Sequence, residues 1–181
     1  EKRAEVSSLI NINGNSLSND LIRRFALIEG LRAFIKTEVH SKGGLARDDF
    51  NNFASGLYAD AKGIRVIQAM PGGVVRFVYP MAGNEKTLGH DILNDPRPDV
   101  REDVKRTIRT RETALSNPYE LRQSGLGVVE RLAVYKSDDT FWGLVVIVLD
   151  IPPLLDAAGI TLPESKVELS LRDKSGRVFH G

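Results

Sequence analysis

Residues 71–91 read PGGVVRFVYPMAGNEKTLGHD. Gly72 and Gly73 separate two runs that favour strands, Gly63 to Met70 and Val74 to Tyr79. Adjacent glycines reach the positive φ angles of a tight turn without steric cost, so the stretch predicts a β-hairpin. Pro80 ends the second strand, Ala82-Gly83-Asn84 turns the chain, and Leu88-Gly89-His90-Asp91 follows as an irregular connection. A strand pair that feeds a polar loop is a common way to build a ligand pocket, so this loop is a candidate site.

On the N-terminal side, apolar residues from Val6 to Val39 recur mostly three or four apart, the pattern of a long amphipathic helix. Gly14 and the polar run Asn11 to Ser18 mark a weak point or a later start, and Ser41 to Gly44 closes the helix. Its length exceeds the need of one compact domain. Leu21, Phe25, Ile28, Leu31 and Ile35 are therefore expected to face a second copy in a parallel homodimer. A shorter helix opens at Arg47-Asp48 and should lid the sheet with Phe50, Phe53, Leu57 and Ala61. In the strand that precedes the hairpin, Ile64, Val66, Gln68 and Met70 alternate against Arg65, Ile67 and Ala69, which gives one apolar face and one mixed face.

On the C-terminal side, Asp99 to Thr113 carries Val100, Val104 and Ile108 at steps of four among charges. The interleaved acids make its arginines a solvated, paired face rather than a nucleic-acid surface. Three strands follow, at Tyr119–Gln123, Leu126–Lys136 and Thr140–Asp150, the last two as a long hairpin over Ser137-Asp138-Asp139. The sum is an α+β chain with a long N-terminal helix and a PAS-like five-stranded antiparallel sheet with flanking helices. Leu154 to Gly159 reads as a helical turn, and 166–179 as a hairpin that starts a smaller second lobe. The expected division is 1–44 as a stalk helix, 45–151 as the ligand-binding domain and 152–181 as a connector with part of a membrane-proximal lobe.

Composition limits the chemistry. With 25 Lys and Arg against 24 Asp and Glu, a net charge of +1 argues for no nucleic-acid partner. There is no cysteine, which removes disulfides and thiolate chemistry. The longest apolar run, Phe141 to Leu149, is well short of the roughly 20 residues of a membrane helix. The chain starts at Glu1 without a signal peptide, so an excised segment is expected, its membrane attachment lying in flanks outside it. His40, His90 and His180 lack the spacing of a metal site, and no nucleophile elbow, Walker loop or H-E-x-x-H occurs. No catalytic residue, metal or cofactor is expected. A binding site of a few polar groups in an apolar pocket remains, with Asp91 placed where apolar walls begin at Ile92 and Leu93.

The segments GGVVRFVYP, GNEKTLGHDIL, TALSNPYELRQSGLGVVERLAVY and FWGLVVIVLD, in this order, resemble the CHASE domain, the extracytoplasmic sensory module of transmembrane histidine kinases and nucleotide cyclases. The resemblance implies a periplasmic or extracellular small-molecule sensor of an inner-membrane receptor, whose kinase or diguanylate cyclase lies outside the chain. It also implies a ligand-bonding aspartate at Asp91 and a ligand-contacting hydroxyl at Ser116, with Leu115, Val129, Leu132 and Tyr135 as walls. Phe77 and Tyr79 complete the expected set, with Tyr79 and Arg76 taken to face away from Phe77. Asn117-Pro118 and Gln123-Ser124-Gly125 depart from glycine-proline and double-glycine patterns of many bacterial members, so the pocket rim is expected to differ. Structural readings stand beside these: Asp91 as the cap of the next turn, and Ser116 as a backbone partner before Pro118. A soluble carrier with the same sheet, and more distantly a hydrolase using an Asp and a His, are the competing functions.

Overall fold

The computed structural model describes residues 2–160, 170–172 and 176–180. Helix α1 spans Lys2–Lys42 without interruption, and Gly14 lies in open space. The break expected near Gly14, or a start at Ser18, is absent. Ile28, Leu31 and Ile35 are fully buried against the sheet, each burial stabilising by roughly 1.5–3 kcal/mol. These are residues that the sequence pattern assigns to a second copy. Their own sheet takes them. Between residues 3 and 20, by contrast, no residue is buried.

Helix α2 (Arg47–Asp60) lies beside α1, with Phe34 and Phe53 stacked at 4.2 Å between ring centroids. Strand β1 (Ile64–Pro71) then starts the main sheet, and β2 (Phe77–Tyr79) pairs with it in the register Ala69 to Phe77 and Ile67 to Tyr79. Strand β2 is shorter than the sequence indicates because Gly73, Val74 and Val75 leave β1 to pair with the next loop. Val75 N donates to His90 O, Gly89 N to Val75 O and Ile92 N to Gly73 O. The loop after the hairpin is thereby pinned to the turn.

Helix α3 (Pro98–Thr110) is followed by two short strands, β3 (Ala114–Leu115) and β4 (Tyr119–Glu120), and by the long strands β5 (Leu126–Tyr135) and β6 (Phe141–Asp150). The sheet order is β2-β1-β6-β5-β3, antiparallel, with β4 also pairing with β5. The third strand expected at Tyr119–Gln123 is thus only the short β4, and β3 beside it is a strand the sequence reading did not place, which makes the sheet six-stranded rather than five-stranded. The Asn117-Pro118 step separates them, since proline has no N–H to give the ladder. Helix α4 (Ile151–Ala157) closes the unit, and β7 (Leu171–Arg172) pairs with β8 (Val178–His180) in a separate small sheet. Residues 166–169 and 173–175 of the hairpin expected over 166–179 lie outside the described residues.

Strand alternation divides the core in two. Ile67, Ala69, Val128, Leu132, Val134, Val145, Ile147 and Leu149 face α1 and α2. Val66, Met70, Val129, Ala133, Leu144, Val146 and Val148 face α3 and the loops. Both faces are therefore buried: Ile67 and Ala69 of the expected mixed face pack under α1 and α2, and Gln68 is the buried polar residue of the other face. The register of β1 shifts between Ile64 and Val66, which puts Ile64 on the α1 side with Ile67 rather than in line with Val66.

Candidate functional site

On the α3 side of the sheet is a cleft with a cavity volume of about 50 Å³. Its floor is made by alternate residues of three adjacent strands: Gln68 and Met70 of β1, Val146 and Val148 of β6, and Val129 and Arg131 of β5. The pinned loop supplies Val75, Thr87, His90 and Ile92 on one side. Tyr119, Leu121, Arg122 and Gln123 close the other, with Arg97 ahead of α3. The two sides are tied where Gln123 Nε2 donates to Asn84 Oδ1 at 3.2 Å.

The polar members are held by their neighbours. Gln68 is buried and its Nε2 donates to Thr87 Oγ1 at 2.8 Å, while Thr87 Oγ1 donates to Asn84 O. Asp95, fully buried behind the wall, accepts from Arg97 Nε at 2.9 Å and Nη2 at 2.8 Å, from Arg97 N at 3.0 Å, and from His90 Nε2 at 2.9 Å. Burial alone would raise its pKa. The bonds and charge of Arg97 outweigh that and hold the carboxyl well below its usual range. Burial pushes His90 below its ordinary value, with the Arg122 charge acting in the same sense against the pull of Asp95. A neutral imidazole facing an ionised Asp95 must donate from Nε2.

Arg131 differs from these. Its side chain is 1% exposed, and Nη2 donates to the Tyr119 hydroxyl at 2.6 Å. Its Nε and Nη1 are buried without a hydrogen-bond partner among the described residues. The nearest carboxylate, Asp103 Oδ2, stands 3.6 Å from Nη1, beyond hydrogen-bond reach, and burial raises the Asp103 pKa.

The residues singled out by sequence are dispersed by the sheet. Val129 lines the cleft. Tyr135 is on the same face but farther along β5, where its hydroxyl donates to Ile108 O at 2.7 Å and Arg111 stacks 4.1 Å above its ring. Asp91 lies outside the cleft, accepting from Leu93 N at 3.0 Å and Asn94 Nδ2 at 2.8 Å. The Asn94 bond first, and the Leu93 backbone after it, hold its pKa below the usual value. Ser116 is buried and its Oγ accepts from Val129 N at 2.9 Å, extending the β3 ladder. Leu132, Phe77, Tyr79 and Leu115 pack on the α1 side. Phe77 is 5.4 Å from Phe50 and Tyr79 is 5.8 Å from Tyr58, ring to ring. Phe77 and Tyr79, two residues apart, share a face, so the expected opposition between them is not found. Val129 is the one lining residue that sequence reasoning named; Gln68, Thr87, Arg97, Tyr119, Gln123 and Arg131 were missed, and Arg131 had a signal that could have found it. It lies two positions beyond Val129, and the period of a strand places both on one face.

A cleft on one face of an antiparallel sheet and a long helix on the other define the architecture of a sensory ligand-binding domain. The family model of the CHASE domain matches residues 71–178, and the chain belongs to that family: it is a small-molecule-sensing domain of a receptor. Among solved structures, it is similar to the sensory domain of the Campylobacter jejuni chemoreceptor Tlp3 with isoleucine bound. The TM-score is 0.67 at 10% identity, over 99% of this chain and 71% of that one. It is similar also to the ligand-binding domain of the Pseudomonas aeruginosa PAO1 amino acid chemoreceptor PctC in complex with GABA, with a TM-score of 0.64, 12% identity, and coverage of 97% and 75%. A third, an extracellular ligand-binding receptor from Desulfohalobium retbaense, gives 0.57 at 16% identity, and this chain covers 26% of it with 78% of its own length. These identities carry the fold alone. No curated protein matches the chain. Among the described residues, no helix is long and apolar enough to cross a membrane.

Proposed function

We propose that the cleft on the α3 face is the sensing site, in the extracytoplasmic part of an inner-membrane receptor anchored by segments outside this chain. The output is a histidine kinase or a diguanylate cyclase, also outside it, and the sensor works as a parallel homodimer through α1 without catalysis of its own. In this reading 1–44 is the stalk, 45–151 the ligand-binding unit and 152–181 the membrane-proximal connector. The observation that carries it is the division of β5. Val129 and Arg131 line the cleft, while Val128 and Leu132 pack under α1, so one strand touches both the ligand site and the helix. A ligand that prefers one arrangement of the cleft shifts the helix by the same difference in free energy.

Native mass spectrometry for a copurified ligand, with a thermal-shift screen of small metabolites, tests the site. The screen compares wild type, Val129→Trp and Asp91→Ala. Val129→Trp fills the cleft from its floor at an overpacking cost of about 1–3 kcal/mol, and it should lose the response to any ligand that stabilises wild type. Asp91 as a ligand anchor requires Asp91→Ala to lose about ten- to a hundredfold in affinity, the value of a charge-assisted bond. As a cap of the Leu93 turn, the same variant should lose about 0.5–2 kcal/mol of stability and keep its affinity, which the two bonds above favour. A ligand that stabilises wild type and Val129→Trp equally overturns the cleft as the site.

A further inference from the structure

We infer that the cleft takes a small carboxylate without a charged amine, gripped by the guanidinium of Arg131; this rests on the cleft being the sensing site. Arg131 is a buried cation whose Nε and Nη1 donors are unmet, and Asp103, its nearest acid, is shared with Arg106 Nη2 at 3.0 Å. A buried charge is costly unless it is both paired and hydrogen-bonded; Asp103 pairs with Arg131 at 3.6 Å without a hydrogen bond to it, and an anion brought into the cleft supplies the bonds that are missing among the described residues. A carboxylate does so with charge-assisted bonds, about twice as strong as neutral ones. Arg97 and Arg122 share the single carboxylate of Asp95, at 2.8 and 3.8 Å, which leaves the wall with an excess of positive charge.

The same lining excludes an ammonium group. Among the described residues that line the cleft there is no aspartate or glutamate. Asp95 is the acid behind the wall, and both its oxygens are taken by Arg97 and His90. An amine-bearing ligand would bring its positive charge among arginines with no carboxylate to meet it. Gln68, Thr87 and Gln123 are uncharged, and they suit a hydroxyl or keto oxygen near the carboxylate. Val129, Val146 and Val148 offer an aliphatic floor. A cavity of about 50 Å³ is far below the roughly 300–1,000 Å³ that drug-sized ligands occupy, so the ligand has few heavy atoms.

Calorimetric and NMR titrations with sodium propionate, lactate and pyruvate test this. Sodium chloride is the ionic control, propionamide and lactamide are neutral counterparts, and L-alanine is the amine-bearing one. At least one carboxylate should bind saturably and move the Arg131 Nε–H resonance, with its amide and L-alanine weaker by roughly tenfold or more. Arg131→Gln and Arg131→Lys should lose a similar factor. If either variant does not fold, the wild-type comparison of carboxylate, amide and amine decides alone. No saturable binding by any of the three at tens of millimolar overturns the inference, as does an amide or L-alanine that binds as tightly. Where such a neutral or amine ligand binds wild type but not Val129→Trp, the sensing site stands and only the carboxylate assignment falls. Carboxylate binding that survives in Val129→Trp overturns both.

Discussion

Glu130 and Arg131 are adjacent on β5 and face opposite sides of the sheet, both buried with unmet polar atoms. Glu130 faces α1, where Asp20 and Arg24 are its charged neighbours; its strand partners Ile147 of β6 and Leu115 of β3 carry no charge. Burial pushes its pKa up to about 8, against the attraction of Arg24 and with the repulsion of Asp20. An unfolded glutamate titrates near 4.5, so the unfolded chain loses this proton first. The native state is then favoured by the neutral carboxyl below pH 4.5, and the contribution is lost as pH rises towards 8. Each pKa unit is worth about 1.4 kcal/mol, so the slope is measurable in urea midpoints taken between these limits. Glu130→Gln should flatten it, and a slope unchanged by the substitution refutes the assignment. None of this is legible in the sequence VVERLAVY, where nothing marks the adjacent acid and base as buried. What decides is that the sheet is covered on both faces, a fact of tertiary packing. The same holds for Asp91: its position after a glycine is plain, but which way its carboxylate turns depends on Asn94 and Leu93.

Elements with their own turn chemistry are the legible ones. The Gly72-Gly73 turn and the β5–β6 hairpin over Asp138-Asp139 stand where the sequence puts them, since Gly72, Gly73 and Asp139 all take positive φ. The two-residue strand β3 carries no pattern long enough to read, β4 is only the first two residues of the strand read at Tyr119–Gln123, and the loop 89–92 is paired through backbone atoms that any residue owns. Gly143 is the element-scale position whose importance only the structure gives. It lies opposite Pro71 in β6, and a Cβ there would collide with the carbonyl oxygen of Met70. A backbone atom cannot step aside, so Gly143→Ala should cost about 3 kcal/mol, the upper end of overpacking. Gly72→Val meets open space and only the strain of its φ of +61°, about 1–2 kcal/mol. Gly73→Val adds a clash with the Leu93 side chain, 2.5 Å from the built Cβ, so it should cost more than Gly72→Val. Thermal melts of the three variants rank them, and Gly72→Val as the most damaging would contradict the turn geometry.

At the scale of the whole molecule, α1 is docked through only part of its length. Its buried residues begin at Arg24, whose Nη2 holds Asp20 at 2.7 Å and Lys62 O at 2.7 Å, and continue through Ile28, Leu31 and Ile35. Leu9, Ile10, Ile12 and Ile22 are exposed. The sequence showed that the helix has more apolar positions than one sheet requires; the period alone did not show which of them the sheet would take. A second copy joined through the N-terminal half would cover these residues, at roughly 1.5–3 kcal/mol for each side chain fully buried. It would also align the two helices in parallel, as paired output modules require. Wild type should then self-associate in sedimentation runs across a concentration series. The double variant Leu9→Glu, Ile12→Glu should be monomeric with an unchanged core, because neither residue contributes to the folded unit. Ile28→Glu serves as the contrast: it buries a charge under the sheet and should unfold the domain rather than dissociate it. A strict monomer at high micromolar concentration, or a dimer indifferent to the double variant, refutes association through this half of α1.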